Sequence, residues 1–165
     1  MPPTELIAKL IQSSVTVAAA ESLTGGQLLS ELIAVPGASN AVLGGVVCYS
    51  TQSKVEVLGV APTTIAQHGA VSEATAVELA QRVAAKFQAT IGIATTGVAG
   101  PDRQEGKAVG TVFIAITGPT GTVTQQLALS GDRTQIRGQS VAAALELLGK
   151  YSGDLPSGQD VSTGD

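Results

Sequence analysis

Apolar and polar positions divide the chain into alternating helical and extended stretches. Residues 4–12 (TELIAKLIQ) place Leu6, Ile7, Leu10 and Ile11 at helical spacing, predicting a short amphipathic helix. The apolar run over 14–20 predicts a central strand covered on both faces. AESLTGG (20–26) follows, then a helical pattern through Leu28, Leu29, Leu32 and Ile33 that stops near Val35, ahead of Pro36-Gly37. Residues 39–44 suggest one turn, and GVVCYS (45–50) a second buried strand. TQSKVEVLGV reads as a short helix ending near Gly59, and Pro62 opens another that exits at His68-Gly69. Ser72 caps a longer helix whose inner face is Ala76, Ala80, Val83, Ala84 and Phe87.

A third strand is expected over 90–95, ending in TTGVAGP and a Gly-rich, charged loop. The fourth strand spans 109–117, and GPTG turns it into a fifth, TVTQQLAL. So short a connection requires the last two strands to be antiparallel. The fifth alternates Val123, Gln125, Leu127 and Leu129, as a half-exposed edge strand does. SGDR begins a final helix with Ile136, Val141, Ala144, Leu145 and Leu148 on its inner side. The pattern describes one α/β domain over 1–150 and a disordered, Gly/Ser/Asp-rich tail over 151–165.

Composition narrows the function. A formal net charge of −4 argues against a nucleic-acid partner, which needs a basic face. The near absence of aromatics argues against a base-stacking platform. Cys48 is the only cysteine and His68 the only histidine, which leaves no Cys/His set for a metal and no intramolecular disulfide. No signal-peptide pattern or membrane span is visible. The expected setting is the cytoplasm, with no metal, no cofactor and no membrane partner.

Strands separated by helices run parallel, so the first three share a carboxyl-end rim. That rim collects Glu21 and Ser22, the segment from Tyr49 to Lys54, and then Thr95, Thr96 and Gly97. An antiparallel fourth strand adds the loop 97–109 with Gly100, and a fifth parallel to the first three adds Ser130, Gly131, Asp132 and Arg133. Open α/β sheets bind ligands at such a rim. Strand, turn, glycine pair and helix also form a layout that aims backbone N–H groups at an anion, so Thr24, Gly25 and Gly26 are candidates; Ser22 or Thr24 as a plain helix cap is the alternative. Arg133 opposes the dipole in the first turn of its helix, which points to an anionic ligand, to pairing with Asp132 or Glu21, or to a solvated surface position. His68 precedes a crossing helix, away from Ser22, so a serine hydrolase here needs another base. Lys54 is the lysine close after a strand end; its alternative is an exposed helix charge.

AESLTGG, GVVCYSTQSK, HGAVSE, TTGVAGPD, VGTVFIAI and LSGDR occur in order, and together they strongly resemble the CinA C-terminal domain family, also known as PncC, the nicotinamide-nucleotide amidase. The resemblance implies a three-layer α/β/α sandwich similar to the anticodon-binding-domain fold, with a mixed five-stranded sheet whose fourth strand is antiparallel. It implies hydrolysis of the carboxamide of nicotinamide mononucleotide to nicotinate mononucleotide and ammonia, in pyridine-nucleotide recycling. The chain looks like the family's stand-alone form, without the N-terminal domain of full-length CinA proteins. Two positions depart from the family: Leu23 stands where cysteine is frequent, and Thr51 where asparagine is frequent.

On this reading Ser22 attacks the carboxamide and Lys54 is the base, with Tyr49 steering the lysine or relaying its proton and Glu21 as the alternative base. Thr24, Gly25 and Gly26 hold either the 5′-phosphate or the oxyanion, and Thr95, Thr96, Gly97, Gly100 and Arg133 complete the binding set. The rival is a non-catalytic pyridine-nucleotide-binding or regulatory domain. Homo-oligomer formation stays open.

Overall fold

A computed structural model describes residues 1–155. The strands are β1 (Val17–Glu21), β2 (Val42–Val47), β3 (Ile91–Gly97), β4 (Thr111–Gly118) and β5 (Gly121–Ala128). The helices are α1 (Pro3–Gln12), α2 (Gln27–Ile33), α3 (Thr51–Leu58), α4 (Pro62–His68), α5 (Glu73–Phe87) and α6 (Arg133–Gly153), with a single 3-10 turn at Ala38–Asn40. The sheet order is β2-β1-β3-β4-β5. β1 pairs in parallel with β2 and β3, whereas β4 is antiparallel to both β3 and β5.

Alternation along the central strands sends neighbouring residues to opposite faces, and each face has its own core. Val17, Ala19, Ile91, Ile93, Ile114 and Ile116 pack with Leu6, Leu10, Leu28, Leu32, Ile136 and Leu148 from α1, α2 and α6. Ala18, Ala20, Ala94 and Ala115 face the other way, against Leu58, Ala76, Leu79, Ala80 and Val83 from α3 and α5. Two helical layers over one mixed sheet make the α/β/α sandwich. The second face is lined with alanine and glycine because α5 lies close: a Cβ at Gly92 of β3 would run into the Ala80 carbonyl.

Two boundaries move. β2 occupies Val42–Val47 rather than 45–50, and it is a half-exposed edge strand instead of a buried one. Gly44 and Gly45 lie inside it: a Cβ at Gly45 would press on the Ala19 carbonyl, and one at Gly44 on the Phe87 ring. Cys48 and Tyr49 therefore fall in the connection to α3, and Ser50 is that helix's N-cap, accepting from Ser53 N–H at 3.0 Å. At the other end, α6 runs past the expected limit at 150, with Tyr151 and Ser152 buried. The rest of the predicted tail, 156–165, lies outside the described residues. Among the described residues no helix is long and apolar enough to cross a membrane.

Candidate active site

The turn after β1 carries the first functional group. Ser22 N–H donates to the Thr95 carbonyl at 3.0 Å, extending the β1–β3 pairing by one bond, and Gly25 N–H closes the turn on the Ser22 carbonyl at 3.1 Å. Gly25 and Gly26 have φ of +59° and +95°, in the left-handed region that favours glycine. The Glu21 carboxylate, 2 % exposed, folds over the start of α2 and accepts from the N–H groups of Gly26 (3.0 Å), Leu28 (3.1 Å) and Leu29 (2.8 Å). All the hydrogen bonds that the Glu21 carboxylate accepts come from this helix start, so it occupies the N–H groups expected to face an anion beside Thr24, Gly25 and Gly26 and makes no bond to Ser22 or Lys54. Ser22 and Thr24 do not cap α2 either. Thr24 and Thr95 share a buried hydroxyl–hydroxyl bond of 2.7 Å.

Lys54 projects inward from the first turn of α3 and is 2 % exposed, which the polar sequence TQSKVEVL does not betray. Its Nζ lies 3.0 Å from Ser22 Oγ, 2.7 Å from the Cys48 carbonyl and 3.3 Å from the Tyr49 carbonyl. Loss of water around the ammonium holds the lysine pKa below its ordinary value, against smaller opposing effects of Cys48 and Glu105. Burial likewise pushes the Cys48 thiol up.

Arg133, the first residue of α6, pairs with neither Asp132 nor Glu21. It donates to the Gly100 carbonyl (2.7 Å) and the Tyr49 hydroxyl (2.8 Å), which leaves its charge without a carboxylate partner among the described residues. Asp132 and Gln135 form a capping box at the same helix start. Tyr49 thus bonds Lys54 through its carbonyl, while its phenol oxygen accepts from Arg133. Thr96 donates its hydroxyl to the Ala70 carbonyl at 2.8 Å.

These groups border one cavity of about 350 Å³, lined in part by Ser22, Lys54, Tyr49, Thr51, Gly100 and Arg133. Thr96 and Gly97 also line it, while Thr24, Gly25, Gly26 and Thr95 stand behind it. His68, at the exposed end of α4, borders a different groove with α5. Among the described residues no group of three or more His, Cys, Asp and Glu converges as a metal set.

Two contributors escaped sequence reasoning. Arg137, one turn beyond Arg133, donates to the Leu23 carbonyl (2.8 Å) and the Thr24 carbonyl (3.1 Å), bracing the serine turn. Its i+4 spacing from Arg133 was the available signal. Glu105, in the loop after β3, accepts from Ala70 and Val71 N–H at 2.9 and 3.0 Å, and nothing in its sequence surroundings marks it.

Comparison with known proteins agrees with the geometry. The model of the CinA C-terminal domain matches residues 3–152. A CinA-like protein of Frankia casuarinae is 49% identical over 156 residues, covering 94% of this chain and 36% of that protein. A putative competence-damage inducible protein of Desulforamulus reducens is 46% identical over 138 residues, covering 84% and 34%. The chain spans about a third of the length of these curated relatives. A crystal structure of a competence-damaged protein (CinA) superfamily member from Klebsiella pneumoniae superposes with a TM-score of 0.89 at 34% identity, covering 93% of this chain and 96% of that one. The chain belongs to the CinA C-terminal domain family.

Proposed function

We propose that this domain is an amidohydrolase that converts nicotinamide mononucleotide to nicotinate mononucleotide and ammonia in the cytoplasm, with Ser22 as nucleophile and Lys54 as base. The observation that carries this reading is the coordination of Lys54 Nζ. Two of its three neighbours are carbonyls, at 2.7 and 3.3 Å, and a carbonyl can only accept. A neutral amine has two N–H groups and one lone pair. As an ammonium Lys54 donates to all three oxygens, Ser22 Oγ at 3.0 Å included; once neutral, giving its N–H groups to Cys48 and Tyr49 leaves the lone pair for the Ser22 hydroxyl. Burial, which favours the neutral amine, acts in the same direction.

Lys54 takes the Ser22 proton as Oγ attacks the carboxamide carbon. The ammonium so formed donates that proton to the departing nitrogen, and ammonia leaves an ester on Ser22. Water, deprotonated by the same amine, then attacks the ester; the acyl–Oγ bond breaks, Lys54 returns the proton to Ser22 Oγ, and the carboxylate leaves. Negative charge on the tetrahedral oxygen needs preset donors. Leu23, Ala99 and Gly100 line the cavity, and their N–H groups have no partner among the described residues. The charge of Arg133, which has no carboxylate partner among the described residues, suits the 5′-phosphate.

Incubation with nicotinamide mononucleotide tests the reading: stoichiometric ammonia and nicotinate mononucleotide support it. Calorimetric binding of the nucleotide without ammonia would favour a non-catalytic nucleotide-binding domain instead.

A further inference from the structure

The far wall of the cavity is built from the segment joining β3 to β4, which supplies Ala99, Gly100, Asp102 and Gln104. Its ends are closed by Gly110 N–H on the Val98 carbonyl at 2.8 Å and by the short Gln104–Lys107 bridge, and Arg103 donates to the Gly106 carbonyl at 3.1 Å. Residues 99–103 make no backbone–backbone hydrogen bond among the described residues, so contacts from elsewhere hold that stretch. Arg133 grips it at Gly100, and Glu105 grips it at the turn before α5. That turn is a rigid shelf: the Gly69 carbonyl accepts from Ser72 and Thr75 hydroxyls at 3.0 and 2.6 Å, and the Ala70 carbonyl from Thr96 at 2.8 Å. Its N–H groups at Ala70 and Val71 go to the Glu105 carboxylate. Gly69, at φ +83°, lacks the Cβ that would collide with that carboxylate.

We propose, on the basis of the amidase reading above, that Glu105 is a positioning residue: it clasps the β3–β4 segment to the Ala70–Val71 amides and so fixes the substrate wall. Lys107, 3.8 Å from Glu105, shares the carboxylate at the outer side.

Glu105→Gln keeps an accepting oxygen and removes the charge, whereas Glu105→Ala removes both. In Glu105→Ala, amide hydrogen exchange should accelerate at Ala70 and Val71 while core amides of α5 stay protected. In Glu105→Gln, which keeps one accepting oxygen, the acceleration should be smaller. The exchange readout requires no turnover, so it decides the clasp even if the nucleotide is not hydrolysed. With turnover, Glu105→Ala should lose about 10²-fold in kcat/KM, mainly through KM. Unchanged exchange at Ala70 and Val71 in Glu105→Ala, or a KM left at the wild-type value in that variant, would overturn the proposal.

Discussion

Lys54 shows how much of the chemistry rests on one side chain's surroundings. A lysine at its ordinary pKa of about 10.4 is almost wholly protonated near neutrality and cannot act as a base. In this fold the amine is buried and its pKa depressed by desolvation. The linkage has a definite sign. Below the folded-state pKa both folded and unfolded chains carry the proton, and the folded one bears the full cost of burying it. Stability is therefore gained as pH rises from the folded-state value toward the higher unfolded one. Lys54→Met removes the group, so the difference in Tm between wild type and Lys54→Met should move in favour of wild type as pH rises through that window. The same substitution should abolish the alkaline rise in turnover. A Tm difference that is flat with pH would mean that Lys54 is not perturbed by the fold.

Arg133 was legible as an oddity, a cation at a helix start, but its partners were not. Tyr49 and Gly100 come from distant segments that only the sheet order brings together. If Arg133 meets the phosphate, Arg133→Ala should raise KM for nicotinamide mononucleotide at least about tenfold, as loss of a charge-assisted bond implies. Nicotinamide riboside, which lacks the phosphate, should be affected much less. Equal losses on the two substrates would assign Arg133 to bracing the loop at Gly100. At the two departures from the family pattern, Leu23 is buried in the core and gives its carbonyl to Arg137, while Thr51 lines the cavity.

Among the elements, the start of α2 is where the sequence left the contacts out of reach. A glutamate before a serine and a glycine pair looks like catalysis beside an anion site. The physical need it meets is local: the first N–H groups of a helix lack intrahelical partners, and one buried carboxylate takes three of them. Such closure depends on how the turn folds back, which residue spacing does not encode. Glu21→Ala should therefore destabilise the domain by roughly 3 kcal/mol, the scale for hydrogen bonds to a charged group and the N–H groups left bare. Chemical denaturation would read this as a lower midpoint, and an unchanged midpoint would contradict the capping role. β2 was displaced for a related reason. Gly44-Gly45 resembles a break in the chain, yet these glycines sit inside the strand, where Ala19 and Phe87 come too close for side chains. α1, α5, β4 and β5 were legible because their apolar periods are regular, and α3 and α4 because Gly59, Pro62 and Gly69 mark their ends.

At the scale of the whole molecule, the strand directions were readable, and they carried the main functional inference. Helical crossovers set β1, β2 and β3 parallel, and a tight turn sets β4 against β5. The single reversal at β4 then brings the β3–β4 segment and the start of α6 to the rim that holds Ser22. What the pattern could not supply was depth: which rim residues face the cavity and which stand behind it. Thr24, Gly25, Gly26 and Thr95 became support for the serine turn, while Arg137 and Glu105, with no motif of their own, hold the two sides of the site.

The most direct test is the rate of ammonia release from nicotinamide mononucleotide by wild type and Ser22→Ala, with nucleotide binding measured in parallel by calorimetry. Loss of the nucleophile should lower turnover by about 10³-fold or more, as removal of a catalytic serine does elsewhere. Binding and Tm should stay close to wild type, because Ser22 caps no helix. Ser22→Ala that keeps most of its turnover would contradict the account, since Lys54 would then have no serine to activate.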